Sequence, residues 1–484
     1  MHTKLIINNH EHDAQNGKIH RSFNPLTGAE SACCSAASVA DADMAAQSSL
    51  NAFKEWSATT PAIRRKLLLR AADLIDERAD SFVIAMAKEV GASELWARFN
   101  VMLASNVFRE AASLATQIQG ETIPTDKPNS LSMTIRQPVG PCLSIVPWNG
   151  PVVLAARAIA YPIVCGNSVL FRASEVSPET HRLIVEAVNT AGFPAGILNF
   201  ITVAPEDAPA VVESLIAHPV IRRINFTGST SVGRIIAETA GRNLKRCLLE
   251  LGDKSPLLVL DDANINHAVS AAIFGSFLYQ GQICMSTDRI IVDNSIADEF
   301  VLRFTERAKS LPAGVPVKTG SCVVGPVISQ ASANRLNILI DDAVSKGAKI
   351  VSGGKSETSQ YPATIIDNVT SNMKIYTDET FGPVIAIIRS NGHEDAIRIA
   401  NDTEFGLSAG VFGKDILRAI DVAQKIETGS CHINGPTVQN EAQAPYGGTK
   451  SSGWGRFDGG RAVIDEFTEI KWLTIEDSSQ QYPF

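Results

Sequence analysis

The sequence predicts an α/β protein: a doubly wound parallel sheet followed by a second α/β region. From Leu143 onward, short apolar runs alternate with helix-like stretches, the pattern of strand–helix–strand units whose strands pair in parallel. Residues 257–260, entered through Pro256, restart that alternation, which continues to about Gly448. No repeat, low-complexity tract or long linker separates the two regions. The 484 residues are enough for two to three domains.

The elements follow in order. Residues 143–146, 168–172, 198–203 and Arg223–Thr227 read as strands. Ser177 precedes Pro178-Glu179, which predicts a helix with a hydroxyl cap and proline at its first position. A helix from Thr230 to Ala240, closed by Gly241, follows the last of these strands. Two outlying stretches have period-two patterning: Leu131, Met133 and Ile135 alternate with polar residues, and Ile470 and Trp472 alternate with Glu469 and Lys471. Both predict half-buried strands.

Composition removes several classes of function. An apolar share of 45% with 19% charged residues is that of a folded enzyme-sized protein, not a disordered chain. The formal charge of −8, without a dense Lys/Arg block, opposes nucleic-acid binding. The eight cysteines include the adjacent Cys33-Cys34 but no CxxC spacing, so a reducing cytoplasm and no metal site are expected. Residues 1–21 lack the apolar core of a secretory signal. Residues 137–156 carry one charge-free run, but Pro138, Pro141, Pro147 and Pro151 would break a membrane helix there, so no membrane association is expected.

The chemistry centres on Cys284, in Gly281-Gln-Ile-Cys-Met285, and Glu250, in Leu249-Glu-Leu-Gly252. A thiolate can add to a carbonyl and a carboxylate can activate water, so the two types together supply both halves of a covalent oxidation. No G-x-G-x-x-G follows a predicted strand, which disfavours the usual dinucleotide turn. Instead Arg223–Thr227 runs into Gly228-Ser229 at the start of a helix, where free amides suit a pyrophosphate. A P-loop at Gly353-Gly-Lys-Ser356 fails because Lys349 stands where the first glycine belongs. A cysteine hydrolase would need a histidine base, and nothing local favours His267 or His432.

The segments Phe226-Thr-Gly-Ser-Thr230, Glu250-Leu-Gly252, Cys284, Glu379-Thr-Phe-Gly-Pro383 and Pro445-Tyr-Gly-Gly-Thr-Lys450 fall in an order and spacing that resembles the aldehyde dehydrogenase superfamily. The likeness runs from Asn24-Pro-Leu-Thr-Gly28 to the C-terminal strand. It implies an NAD-binding domain over 1–119 and 139–250, a catalytic domain over 251–448, and an oligomerisation arm with the C-terminal segment over 120–138 and 449–484. The arm implies a homodimer or homotetramer.

By the same resemblance Cys284 is the nucleophile, Glu250 the base for the hydrolytic water, and Asn149 the side-chain donor to the oxyanion. Pro147, Trp148, Gly228, Ser229, Gly233 and Gly252 border the cofactor, and Glu379 with Phe381 holds the nicotinamide ribose and ring. Glu175 matches the position that binds the adenosine ribose hydroxyls, and its charge favours NAD over NADP. Arg172 departs from the usual lysine, keeping the charge but not the compact geometry. Gly150 and Arg157 replace large aromatics of many relatives, and Trp96, Phe99 and Leu103 form one helical face beside them, with Tyr446 as a further substrate contact. This combination resembles the bacterial dehydrogenases for aromatic aldehydes. It implies an aldehyde with an ortho-hydroxylated ring as substrate, with Arg157 offering its guanidinium to the ring hydroxyl. A CoA-acylating or broad aliphatic enzyme, and a non-catalytic relative, are the alternatives.

Overall fold

The computed structural model describes residues 2–312, 314, 324–478, 481, 482 and 484. Its first sheet has eight strands. Five central strands run parallel in the spatial order Arg246–Glu250, Arg223–Thr227, Cys142–Ile145, Val169–Arg172, Leu198–Ile201. Antiparallel strands close both edges: Gly453–Trp454 beside Arg246–Glu250, and Leu5–Ile7 then His10–His12 beside Leu198–Ile201.

Burial on both faces explains the apolar runs. Val169 and Phe171 face a core built with the helices Glu94–Leu114 and Pro151–Val164, whereas Leu170 faces one built with Val39–Trp56 and Thr230–Arg242. A strand covered on both sides must be apolar at successive positions. The chain enters the parallel set at Cys142–Ile145, proceeds outward to Leu198–Ile201, then crosses back to Arg223–Thr227. That reversal opens a crevice at the carboxyl ends of Cys142–Ile145 and Arg223–Thr227.

The second sheet has seven strands in the order Lys349–Ser352, Thr364–Asp367, Val384–Ser390, Arg289–Asp293, Pro256–Val259, Ser408–Phe412, Ser430–Ile433, all parallel but the first. Among the described residues no helix is long and apolar enough to cross a membrane.

Within the C-terminal segment 449–484, Gly453–Trp454 completes the first sheet, and the helix Arg461–Phe467 buries Val463, Ile464 and Phe467 in its core. Two expectations need correction. The strand Thr468–Ile475 pairs antiparallel with Leu131–Pro138 over eight residues, but it is not half-buried; no further layer covers it among the described residues, and Ile470 and Trp472 are 62% and 69% exposed. The hydroxyl of Ser177 makes no cap bond. The buried carboxylate of Glu89 takes its place, accepting from the backbone of Glu179 at 2.7 Å and Thr180 at 2.9 Å, and two acceptor oxygens cover two free amides where one hydroxyl covers one.

Candidate active site

The crevice collects the chemistry-bearing loops. After Cys142–Ile145 the chain passes Pro147, Trp148, Asn149 and Gly150 before Pro151 starts a helix at its first turn. Glu250 is the last residue of its strand, and Gly228-Ser229 joins Arg223–Thr227 to Thr230–Arg242. Cys284 arrives from the second region, after the helix Ile265–Phe277 and a turn in which Tyr279 and Gln280 take positive φ of 49° and 55°. Buried residues held in that left-handed conformation mark a turn that the surroundings impose.

One cavity of about 410 Å³ brings together Pro147, Trp148, Asn149, Gly228, Ser229, Glu250, Gly252, Cys284, Glu379 and Phe381. Among the described residues no histidine lines it, so the base that a cysteine hydrolase would need is missing from this lining. Phe381 is half-buried and meets Trp148 edge-on at 5.9 Å, so it borders the cavity and is not part of the core. Gly233 stands one turn into the helix, where a Cβ would lie 2.4 Å from the Leu251 side chain, so the helix packs closely there. Arg172 and Glu175 lie at the end of the Val169–Arg172 strand, joined at 2.8 Å.

Cys284 and Glu250 lie against each other, and a third group joins them. The Tyr446 hydroxyl lies 3.2 Å from Cys284 Sγ and donates to Glu250 Oε1 at 3.0 Å. Glu250 Oε2 is buried without a hydrogen bond, an acceptor left free for water. Burial raises the Glu250 carboxyl above its ordinary range, while Cys284, Arg157 and Tyr446 pull it the other way. Burial also pushes the Cys284 thiol well up, and the neighbouring Glu250 charge adds to it, so this environment alone disfavours the thiolate. Asn149 Nδ2 donates to the Gln282 carbonyl at 3.0 Å, which places its amide beside the Cys284 loop, and Trp96 Nε1 fixes the Asn149 carbonyl at 3.0 Å.

The substrate-side residues divide. Trp96 is buried and stacks on Tyr279 at 5.1 Å, while Phe99 and Leu103 are partly buried against the same core. Gly150 is closely packed: a Cβ there would stand 3.3 Å from Val153 and 3.5 Å from Asn100, so any larger side chain would crowd that helix entry.

Arg157 is buried: its guanidinium lies 2.8 Å from Asp458 and sits 4.5 Å over the Tyr446 ring. Burial opposes the Arg157 charge, and Asp458, Tyr446, Glu250 and Cys284 together more than offset that. Asp458 gave no local signal in the sequence, because its partner comes from a distant helix. Arg335 was also missed; it donates to the Glu379 and Thr380 carbonyls and holds the loop that carries Phe381.

The cavity suits a dinucleotide. It offers helix-start amides at Gly228-Ser229 for a pyrophosphate, and the carboxylate of Glu379, held by burial at a pKa of about 7, for a ribose. Among the described residues no cluster of three or more His, Cys, Asp or Glu could hold a metal ion.

A two-region α/β protein whose sheet reversal, thiol and carboxylate share one cleft belongs to the class of nicotinamide-dependent, thiol-based oxidoreductases. The chain is a member of the aldehyde dehydrogenase family, which it matches over residues 12–473. It is similar to a salicylaldehyde dehydrogenase from Pseudomonas putida G7, solved in complex with salicylaldehyde, at 60% identity over 100% of both chains and a TM-score of 0.99. A vanillin dehydrogenase of Pseudomonas fluorescens is 49% identical over 99% of both sequences. A betaine aldehyde dehydrogenase from Staphylococcus aureus, solved with NAD+, is 30% identical over 100% of this chain and 96% of that one, with a TM-score of 0.95.

Proposed function

We propose that this aldehyde dehydrogenase oxidises aromatic aldehydes, salicylaldehyde foremost, to their carboxylic acids with NAD+ rather than NADP+. The carrying observation is the convergence of Cys284, Tyr446 and Glu250 within hydrogen-bond reach beside Asn149. The likeness to enzymes named for salicylaldehyde and vanillin supports an aromatic ring in the pocket.

Cys284 adds to the aldehyde carbon, and the oxygen that takes up negative charge is met by the Asn149 amide and the Cys284 backbone N–H. Losing one such donor typically lowers turnover by about 10²–10³. The bound dinucleotide supplies the hydride acceptor. Glu250, with Oε2 free, then takes a proton from water as that water attacks the Cys284 thioester, and the acid departs. Glu175 would hold the adenosine ribose, and its carboxylate, paired with Arg172, opposes a 2′-phosphate. The exposed face of Thr468–Ile475 supports assembly into a homodimer or homotetramer, and the cysteine pattern supports a cytoplasmic setting.

The deciding experiment follows NAD+ and NADP+ reduction with salicylaldehyde, benzaldehyde and aliphatic aldehydes, with and without CoA. The expected result is highest kcat/KM for salicylaldehyde with NAD+, unaffected by CoA. A preference for aliphatic aldehydes, or an acyl-CoA product, overturns the reading.

A further inference from the structure

We propose that the cavity at the amino-terminal ends of Arg223–Thr227 and Arg246–Glu250 is a second ligand site, one that takes the phosphate group of a small dianion. The catalytic crevice lies at the other end of these five-residue strands, about 15 Å away. The site therefore depends on none of the roles given to Cys284, Glu250 or the dinucleotide.

The fold brings four cations to one space. Arg222 and Arg223 enter one strand, Lys245 and Arg246 enter its neighbour, and the parallel register sets Arg223 against Arg246. All four line a cavity of about 250 Å³, in which Glu469 is the carboxylate. Neutralisation is incomplete. Arg223 Nη2 donates to Glu469 Oε1 at 2.9 Å, and Arg246 stands 3.5 Å from Glu466. Among the described residues Arg222 and Lys245 have no carboxylate within ion-pair distance, and Lys245 Nζ donates to the His218 carbonyl at 2.5 Å. Two carboxylates thus answer four cations, which leaves two positive charges in excess in a chain whose formal charge is −8. Burial and the Arg222 charge pull the Lys245 ammonium below its ordinary value, and burial and the Arg246 charge act on Arg223 in the same direction.

Arg223 carries a second, independent observation. It is 1% exposed, yet its Nε and Nη1 have no hydrogen-bond partner. Buried donors are almost always paired, because an unmade bond forfeits hydration with nothing in return. A guanidinium has no acceptor of its own, so the missing partner must be an acceptor brought in from outside. An oxyanion meets both needs, with several acceptor oxygens on one centre and a charge to set against the cations. A phosphate group near its second ionisation matches the two charges in excess, whereas a carboxylate supplies half of that.

The test is phosphate binding by the intact protein with NAD+ saturating. Inorganic phosphate is titrated at an ionic strength held constant with sodium chloride, and its phosphorus-31 linewidth is followed. The expected result is one saturable phosphate per chain that NAD+ does not displace. Arg222→Gln and Arg246→Gln, both at exposed positions, should each weaken it about tenfold or more, the value of one charge-assisted bond. Both should keep wild-type aldehyde oxidation, since neither cation lines the catalytic crevice. Arg398→Gln, an equal loss of charge at an exposed position in the second region, should leave phosphate binding unchanged. Glycerol 3-phosphate titrated in parallel separates a free phosphate ion from a phosphate ester, the tighter of the two being the source the site serves. Broadening that never saturates, or loss of binding on adding NAD+, which puts the anion in the crevice, overturns the site. So does wild-type affinity in Arg222→Gln and Arg246→Gln, or a loss as large in Arg398→Gln.

Discussion

Arg157 and Asp458 form a closed ion pair, Nε to Oδ2 at 2.8 Å, with both side chains almost wholly removed from solvent. The same guanidinium covers the ring of Tyr446, whose hydroxyl reaches Cys284 and Glu250. This arrangement gives Arg157 a route to the chemistry through Tyr446.

Arg157→Leu should consequently lower kcat/KM for salicylaldehyde and benzaldehyde by a common factor. It also strands Asp458 as an uncompensated buried charge, at a cost of about 3–5 kcal/mol in stability. Parallel kinetics on the two aldehydes, with a melting curve, check both. A loss about ten- to a hundredfold larger for salicylaldehyde alone would return Arg157 to direct substrate contact, since that is the value of one charge-assisted bond.

Glu250→Gln should give an NADH burst equal to the enzyme concentration, slower than in the wild type, and then stall. The amide cannot deprotonate the water that resolves the thioester. Stopped-flow absorbance reads the burst. Sustained turnover at the wild-type rate would remove Glu250 from hydrolysis.

The pH dependence has a definite sign. Burial raises the Glu250 carboxyl, so its basic form is lost as pH falls through a value above the ordinary carboxylate figure of about 4.3. Steady-state kcat should fall on the acid side with a midpoint above that figure, and the residual rate of Glu250→Gln should lack that limb. A midpoint at or below 4.3, or the same limb in the variant, contradicts the assignment.

Glu175→Ser should raise the NADP+/NAD+ ratio of kcat/KM by about tenfold or more. The change removes a carboxylate from the ribose position and frees Arg172, held to it at 2.8 Å, to meet a 2′-phosphate with a charge-assisted bond. Kinetics with both dinucleotides give the ratio. An unchanged ratio would place cofactor choice elsewhere.

The sequence by itself determined the layered α/β architecture, the strand Arg223–Thr227, and the turns carrying Asn149, Gly228 and Glu250, because these are local signals. Strands buried on both faces must be apolar at successive positions, and a helix following a Gly-Ser turn reads directly from adjacent residues. Cys284 and Glu250 could likewise be singled out from short motifs. Only the tertiary structure decided what Arg157 pairs with, that Tyr446 touches both thiol and carboxylate, that Glu89 and not Ser177 caps its helix, and that residues 469–475 are exposed on both faces. Each of these depends on which remote segment fills the space beside a side chain. A buried arginine needs an anion and a helix start needs acceptors, but hydrophobic periodicity along the chain does not specify which distant residue provides them.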